Sequence, residues 1–174
     1  MSPNIILLAG PPGAGKTTVA RELVATSTGP TVCIEGDKFW TFFVKGGPGQ
    51  VRVKTFRTVL WSVAAAAMPC ARAGYETIID FSIPFWFIDP LRARFSDVDF
   101  DYVVVRPSFA VCADRAAARE EGKVADYSVF KEFYADFDVP KPNLIADDTA
   151  DAGAIAALIR EGLAEGRFRL APHL

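Results

Sequence analysis

Gly10-Pro11-Pro12-Gly13-Ala14-Gly15-Lys16-Thr17 fits the phosphate-binding pattern G-x-x-x-x-G-K-[ST] at every position. Ile5-Ile6-Leu7-Leu8-Ala9 precedes it as a short apolar run of strand type. Thr18-Val19-Ala20-Arg21-Glu22-Leu23-Val24 follows with apolar residues at helical spacing. The motif therefore stands in the strand–loop–helix context that its mechanism needs. Its glycines permit left-handed backbone and close approach, so successive N–H groups can ring a phosphate at a helix N-terminus. Lys16 is placed to reach β- and γ-phosphates, and the Thr17 hydroxyl to hold Mg²⁺. A plain Gly/Pro turn would explain neither the Lys-Thr pair nor its place at a helix start. The reading is a nucleoside triphosphate site cradled by Gly10, Pro11, Pro12, Gly13, Ala14, Gly15, Lys16, Thr17 and Thr18.

Outward from this loop, strand-like and helix-like segments alternate along the whole chain, the pattern of an α/β fold on a parallel sheet. Strands are predicted at 4–9, 31–35, 75–80, 100–106 and 143–146, which makes five in one domain spanning 1–174. Helices are predicted from Gly15 to about Ala25, from about Gln50 with a kink or restart at Pro69, at 88–95, at 108–121 and at 151–165. A less regular segment occupies 127–137, and a Gly-rich loop, 45–49, precedes the long helix.

Composition narrows the function classes. At 174 residues with 51% hydrophobic and 23% charged residues, the chain is long and apolar enough to bury a core, which excludes a disordered class. A net charge of −2 without a basic run gives no nucleic-acid face. Cys33, Cys70 and Cys112 form no C-x-x-C pair, and with His173 as the single histidine a structural zinc site is not expected. The longest low-polarity stretch, 59–68, is too short to span a bilayer. The expectation is a soluble cytoplasmic protein, monomer or homodimer, with no membrane or nucleic-acid partner.

In open parallel sheets ligands bind beyond the carboxyl ends of the strands. The second strand ends in Glu35-Gly36-Asp37-Lys38 and the third in Asp80. Phosphoryl transfer needs one acid to hold Mg²⁺ and one to take or orient the hydroxyl proton, and Asp37 and Asp80 suit those jobs. The alternatives are a turn aspartate for Asp37 and a helix-cap or loop role for Asp80. Arg115, Arg119 and Lys123 recur at steps of four, a like-charge helical stripe. It suits either an anionic triphosphate or a solvated face relieved by Asp114, Glu120 and Glu121. Two aromatic runs follow the acids, Phe39–Phe43 with Trp40 and Phe81–Phe87 with Trp86. They suit core packing or an acceptor with apolar surface. Arg52 and Arg57 serve equally as acceptor contacts or as surface charge.

The guanine-recognising N-K-x-D motif is absent, and Phe81 follows Asp80 where ATP-hydrolysing motors carry a second acid. The chain resembles the small P-loop kinases of low-molecular-weight substrates, among them chloramphenicol phosphotransferase and the gluconate, shikimate and adenylylsulfate kinases. The resemblance rests on G-P-P-G-A-G-K-T, E-G-D, I-I-D, V-V-V-R-P-S-F-A, R-A-A-A-R and D-D-T, in that order. It implies a three-layer α/β/α fold with sheet order 2-3-1-4-5, a lid at about 119–126 and ATP with Mg²⁺. Asp37 is then the catalytic base, with adenine between the lid arginines and the loop at Asp148-Thr149. Lys38 departs from the pattern, standing where several relatives have a second acid. The site that results has Lys16, Asp37, Arg115 and Arg119 in catalysis, Thr17 and Asp80 at the metal, and Asp37, Trp40, Arg57, Asp80 and Phe81 at a small hydroxyl-bearing acceptor. The rivals are a nucleotide or nucleic-acid-end kinase, and a regulatory module that binds ATP without small-molecule transfer.

Overall fold

Ile5, Leu7 and Ala9 alternate with Ile6 and Leu8 along β1 (Asn4–Ala9), and all five are fully buried. Both faces of β1 are apolar because it is the middle strand of a five-stranded parallel sheet with helices on either side. The computed structural model describes residues 4–43, 52–120 and 122–171. In chain order its elements are β1, α1 (Lys16–Ala25), β2 (Thr31–Glu35), α2 (Arg52–Arg72), β3 (Glu76–Asp80), α3 (Ile88–Arg94), β4 (Asp99–Val105), α4 (Phe109–Ala117), α5 (Lys131–Ala135), β5 (Leu144–Ile145) and α6 (Ala152–Ala164). The sheet order is β2-β3-β1-β4-β5, as the resemblance implies.

Two apolar layers follow from the alternation along β1. Ile5, Leu7 and Ala9 pack with Val59, Val63 and Ala67 of α2 and with Leu91 of α3. Ile6 and Leu8 pack with Val19 and Leu23 of α1, Cys112 of α4 and Ile155 and Ile159 of α6. The architecture is therefore three-layered, α/β/α. Among the described residues no helix is long and apolar enough to cross a membrane.

Several boundaries differ from the sequence reading. The long helix runs through Pro69 without restarting, because only Cys70, Ala71 and Arg72 follow it before the end. Gly74, at φ 87°, then turns the chain into β3. The fifth strand is only Leu144–Ile145. Helix α4 stops at Ala117 rather than continuing to residue 121. The N–H of Val124 returns to the carbonyl of Ala116 at 3.1 Å, taking the acceptor that the next helical turn would use. Arg119 and Lys123 are thus beyond the helix, and the expected four-step stripe is not formed. The Gly-rich loop 45–49, the helix start at Gln50, and His173 lie outside the described residues, as does the side chain of Arg52.

Candidate active site

Three glycines let the loop between β1 and α1 nest against its neighbours. A Cβ on Gly10 would stand 2.1 Å from the carbonyl oxygen of Val105, and one on Gly13 would stand 2.2 Å from that of Cys112. Gly13 also has φ 79°, so two constraints exclude a side chain there. Gly15 caps α1 without a side-chain bond, which leaves the first N–H groups of the helix for a ligand.

Lys16 and Thr17 open α1 and face the loop interior. Lys16 is 7% exposed, and its Nζ donates to the Pro11 carbonyl at 3.2 Å. Burial pulls its pKa below the usual lysine value, and the nearby Asp80 and Asp37 charges oppose that pull. Asp80 ends β3, opposite Leu8 of β1 and Glu35 of β2 in the ladder. It is 6% exposed, and its Oδ2 accepts the Thr17 hydroxyl at 2.6 Å. Burial raises its pKa, with Lys16 and the Thr17 hydrogen bond moderating the rise. A buried carboxylate, a hydroxyl and the nitrogen of Lys16 thus meet at the mouth of the loop. That oxygen pair fits a hard divalent cation. Among the described residues no group of three or more His, Cys, Asp or Glu converges on a metal, so phosphate oxygens and water would complete such a shell.

Asp37 lies in a 3₁₀ turn, Gly36–Phe42, directly after β2. The turn closes on Phe81 because Gly36 has no side chain: a Cβ there would stand 2.3 Å from the Phe81 ring. Asp37 is exposed to a cleft of ≈1350 Å³ that Lys16 and Thr17 also line. From the other side Arg115 of α4 donates to the Ala14 carbonyl at 3.4 Å, and Arg119 lines the cleft just past the helix. Tyr127, which opens a further 3₁₀ turn at Tyr127–Phe130, donates its hydroxyl to the Pro12 carbonyl.

The structure thus brings together Pro12, Gly13, Gly15, Lys16, Thr17, Thr18, Asp37, Trp40, Phe81, Arg115 and Arg119 on one cleft, with Asp80 bonded to Thr17 beneath it. Arg57 is exposed on α2 and does not line the cleft; its neighbour Phe56 does. Asp148 instead accepts the Ser108 N–H at 2.6 Å, at the start of α4. Thr149 gives its N–H and hydroxyl to Asp147, and neither Asp148 nor Thr149 lines the cleft. Sequence reading missed Arg21, Glu35, Phe56, Glu120, Val129, Phe130 and Phe133 as lining residues. Only Glu35 carried a readable signal, at the end of β2.

A family model described as an AAA domain matches residues 5–140. The mitochondrial ATP-dependent zinc metalloprotease FTSH 10 of Arabidopsis thaliana is 44% identical over 50 residues, 29% of this chain and 6% of that protein. The m-AAA protease component AFG3L2 of Mus musculus is 34% identical over 68 residues, 39% of this chain and 8% of that protein. The matches therefore span under a tenth of either curated relative. Among solved structures, the tunicamycin resistance protein of Deinococcus radiodurans superposes with a TM-score of 0.71 at 16% identity, covering 94% of this chain and 96% of that one. The Mycobacterium tuberculosis APS kinase CysC, solved with AMPPNP and APS, gives 0.70 at 16%, covering 94% and 98%. A chain of the Pnkp1/Rnl/Hen1 RNA repair complex gives 0.63 at 20%, covering 78% of this chain and 44% of that one. At such identities the likeness is one of fold, and the fold is that of P-loop kinases.

Proposed function

The chain belongs to the AAA domain family, and from that footing we propose that it is an ATP-dependent kinase that phosphorylates a hydroxyl of a small molecule. One observation carries the reading. The cleft of ≈1350 Å³ extends from the phosphate loop past Asp37 to an aromatic wall, giving room for a second substrate beside the triphosphate. A site built only to hydrolyse ATP needs no such annex.

Lys16 and the loop amides hold the β- and γ-phosphates, and Thr17 with Asp80 provides the oxygen ligands for Mg²⁺. The ion, when bound, offsets charge on those phosphates. Asp37 takes the proton of the attacking hydroxyl as its oxygen bonds to the γ-phosphorus and the bond to ADP breaks. Arg115 and Arg119 balance the charge that spreads over the transferring group. Asp148 and Thr149 frame the adenine side by holding the start of α4 and their own turn, rather than through the cleft wall.

The test is release of ADP from Mg-ATP across a panel of hydroxyl-bearing metabolites and antibiotics. Stimulation by particular alcohols, with phosphate recovered on the alcohol, supports the reading; a rate indifferent to every addition counts against it. A second reading, phosphorylation of a nucleic-acid end, is favoured by the likeness to the RNA repair complex chain. Stimulation by a 5′-hydroxyl oligonucleotide alone would select it.

A further inference from the structure

The acceptor end of the cleft is a continuous run of rings. Trp40 stacks on Phe56 with centroids 6.2 Å apart; Phe56 meets Phe81 at 5.6 Å and Phe87 at 4.9 Å; Phe87 meets Trp86 at 4.3 Å. These rings come from four separate segments: the turn after β2, helix α2, the end of β3 and the turn before α3. Phe81 is 1% exposed and is core, whereas Trp86 is 60% exposed and stands at the cleft. Core packing therefore accounts for the inner end of the run and leaves the outer end open. Val129, Phe130 and Phe133 line the same cleft, with Val129 71% exposed.

Charge divides along the same cleft. Lys16 and Arg115 stand at the phosphate loop and α4, with Arg119 and Glu120 just past the helix. Glu35 and Asp37 stand at the head of the aromatic run, with Arg21 of α1 on the β2 side beside them. Among the described residues no basic side chain lies on the aromatic wall itself. A carboxylate laid along this apolar wall would lose hydration without gaining a cationic partner, so the wall disfavours an anion and accepts an apolar body or a cation over a ring.

Resting on the kinase reading above, we propose that the acceptor is a lipophilic alcohol whose body carries no negative charge. Its hydroxyl lies at Asp37 and its apolar body along Trp40, Phe56, Phe87 and Trp86. Sugar acids, phosphorylated metabolites and nucleic-acid ends are excluded by the same surface.

Calorimetric titration of the full chain, loaded with Mg²⁺ and a non-hydrolysable ATP analogue, tests this with three probes of one shape. They are para-phenylbenzyl alcohol, its para′-carboxylate and its para′-aminomethyl derivative. The neutral and cationic probes are expected to bind at least about tenfold more tightly than the carboxylate. Trp86→Ala, at an exposed position that leaves folding intact, should weaken the neutral probe about five- to tenfold. Equal or tighter binding of the carboxylate, or no change in Trp86→Ala, overturns the proposal. Binding is read without turnover, so the kinase reading fails separately: graded probe binding without any phosphoryl transfer sinks the transfer step and leaves the acceptor class standing.

Discussion

Asp37 and Asp80 are carboxylates in opposite settings. Asp80 is buried against Thr17 and Lys16, and Asp37 is open to the cleft. Burial is the largest influence on Asp80 and raises its pKa, so its ionised form is less favoured in the folded protein than in the unfolded chain. The unfolded chain then loses that proton at lower pH, and stability falls as pH rises from the unfolded pKa through the raised folded one. Asp80→Asn removes this cost and keeps an acceptor for the Thr17 hydroxyl. The expected outcome is a higher melting temperature at neutral pH without ligand, together with loss of the Mg²⁺-dependent part of ATP affinity, both measurable by calorimetry. Asp37→Asn should keep ATP binding and lower phosphoryl transfer by about 100-fold or more, the range of a lost general base. Near-normal turnover would remove Asp37 from the chemistry.

Helix α4 and the segment after it hold the phosphate loop from above. Arg115 of α4 reaches the Ala14 carbonyl and Tyr127 reaches the Pro12 carbonyl, so two side chains from this region are tied to the phosphate loop. Tyr127→Phe removes one tie without changing shape. A single hydrogen bond contributes about 1 kcal/mol, so ATP affinity should drop about fivefold with only a small fall in melting temperature. Unchanged ATP affinity would show the tie to be incidental. The phosphate loop was readable because its glycines answer a local demand that few other sequences meet. The end of α4 was not, since it depends on Val124 folding back to Ala116. Nor was the exchange of Arg57 for Phe56 at the cleft: one residue turns a helical position by about 100°, and arginine and phenylalanine both suit an amphipathic helix. Val129, Phe130 and Phe133, in the less regular segment 127–137, carry no motif that marks them, and only the fold brings them to the cleft that Trp86 also lines.

The parallel sheet collects the loops after β1, β2, β3 and β4 at one end, which is why residues as distant as Lys16, Asp80 and Arg115 line or underlie a single cleft. That much follows from the alternating pattern. The opposite end is closed by a feature the sequence does not advertise: the chain returns past α6 and pairs antiparallel with β4, bringing Arg169 onto fully buried Asp101 at 3.1 Å. Arg169 also reaches Asp99 at 2.7 Å. Burial raises the Asp101 pKa, and Arg169 restrains the rise. Arg169→Met leaves Asp101 buried without its cation and should destabilise the protein by about 2–3 kcal/mol at neutral pH, less than for a wholly buried pair because Arg169 is partly exposed. The deficit should shrink in acid, where Asp101 is protonated, and denaturant unfolding at two pH values reads it; a deficit that does not change with pH would contradict the assignment.

On the proposed reading, the phosphate loop serves as donor site, Asp37 as proton acceptor and the aromatic annex as acceptor site, all on one continuous cleft. The most direct test of that reading follows the γ-phosphate of labelled Mg-ATP in the presence of lipophilic alcohols, using mass spectrometry to see where it goes. The expected result is label on an alcohol hydroxyl in the native chain and nearly none in Asp37→Asn. Label found only as inorganic phosphate, released at one rate with or without any alcohol, would contradict it.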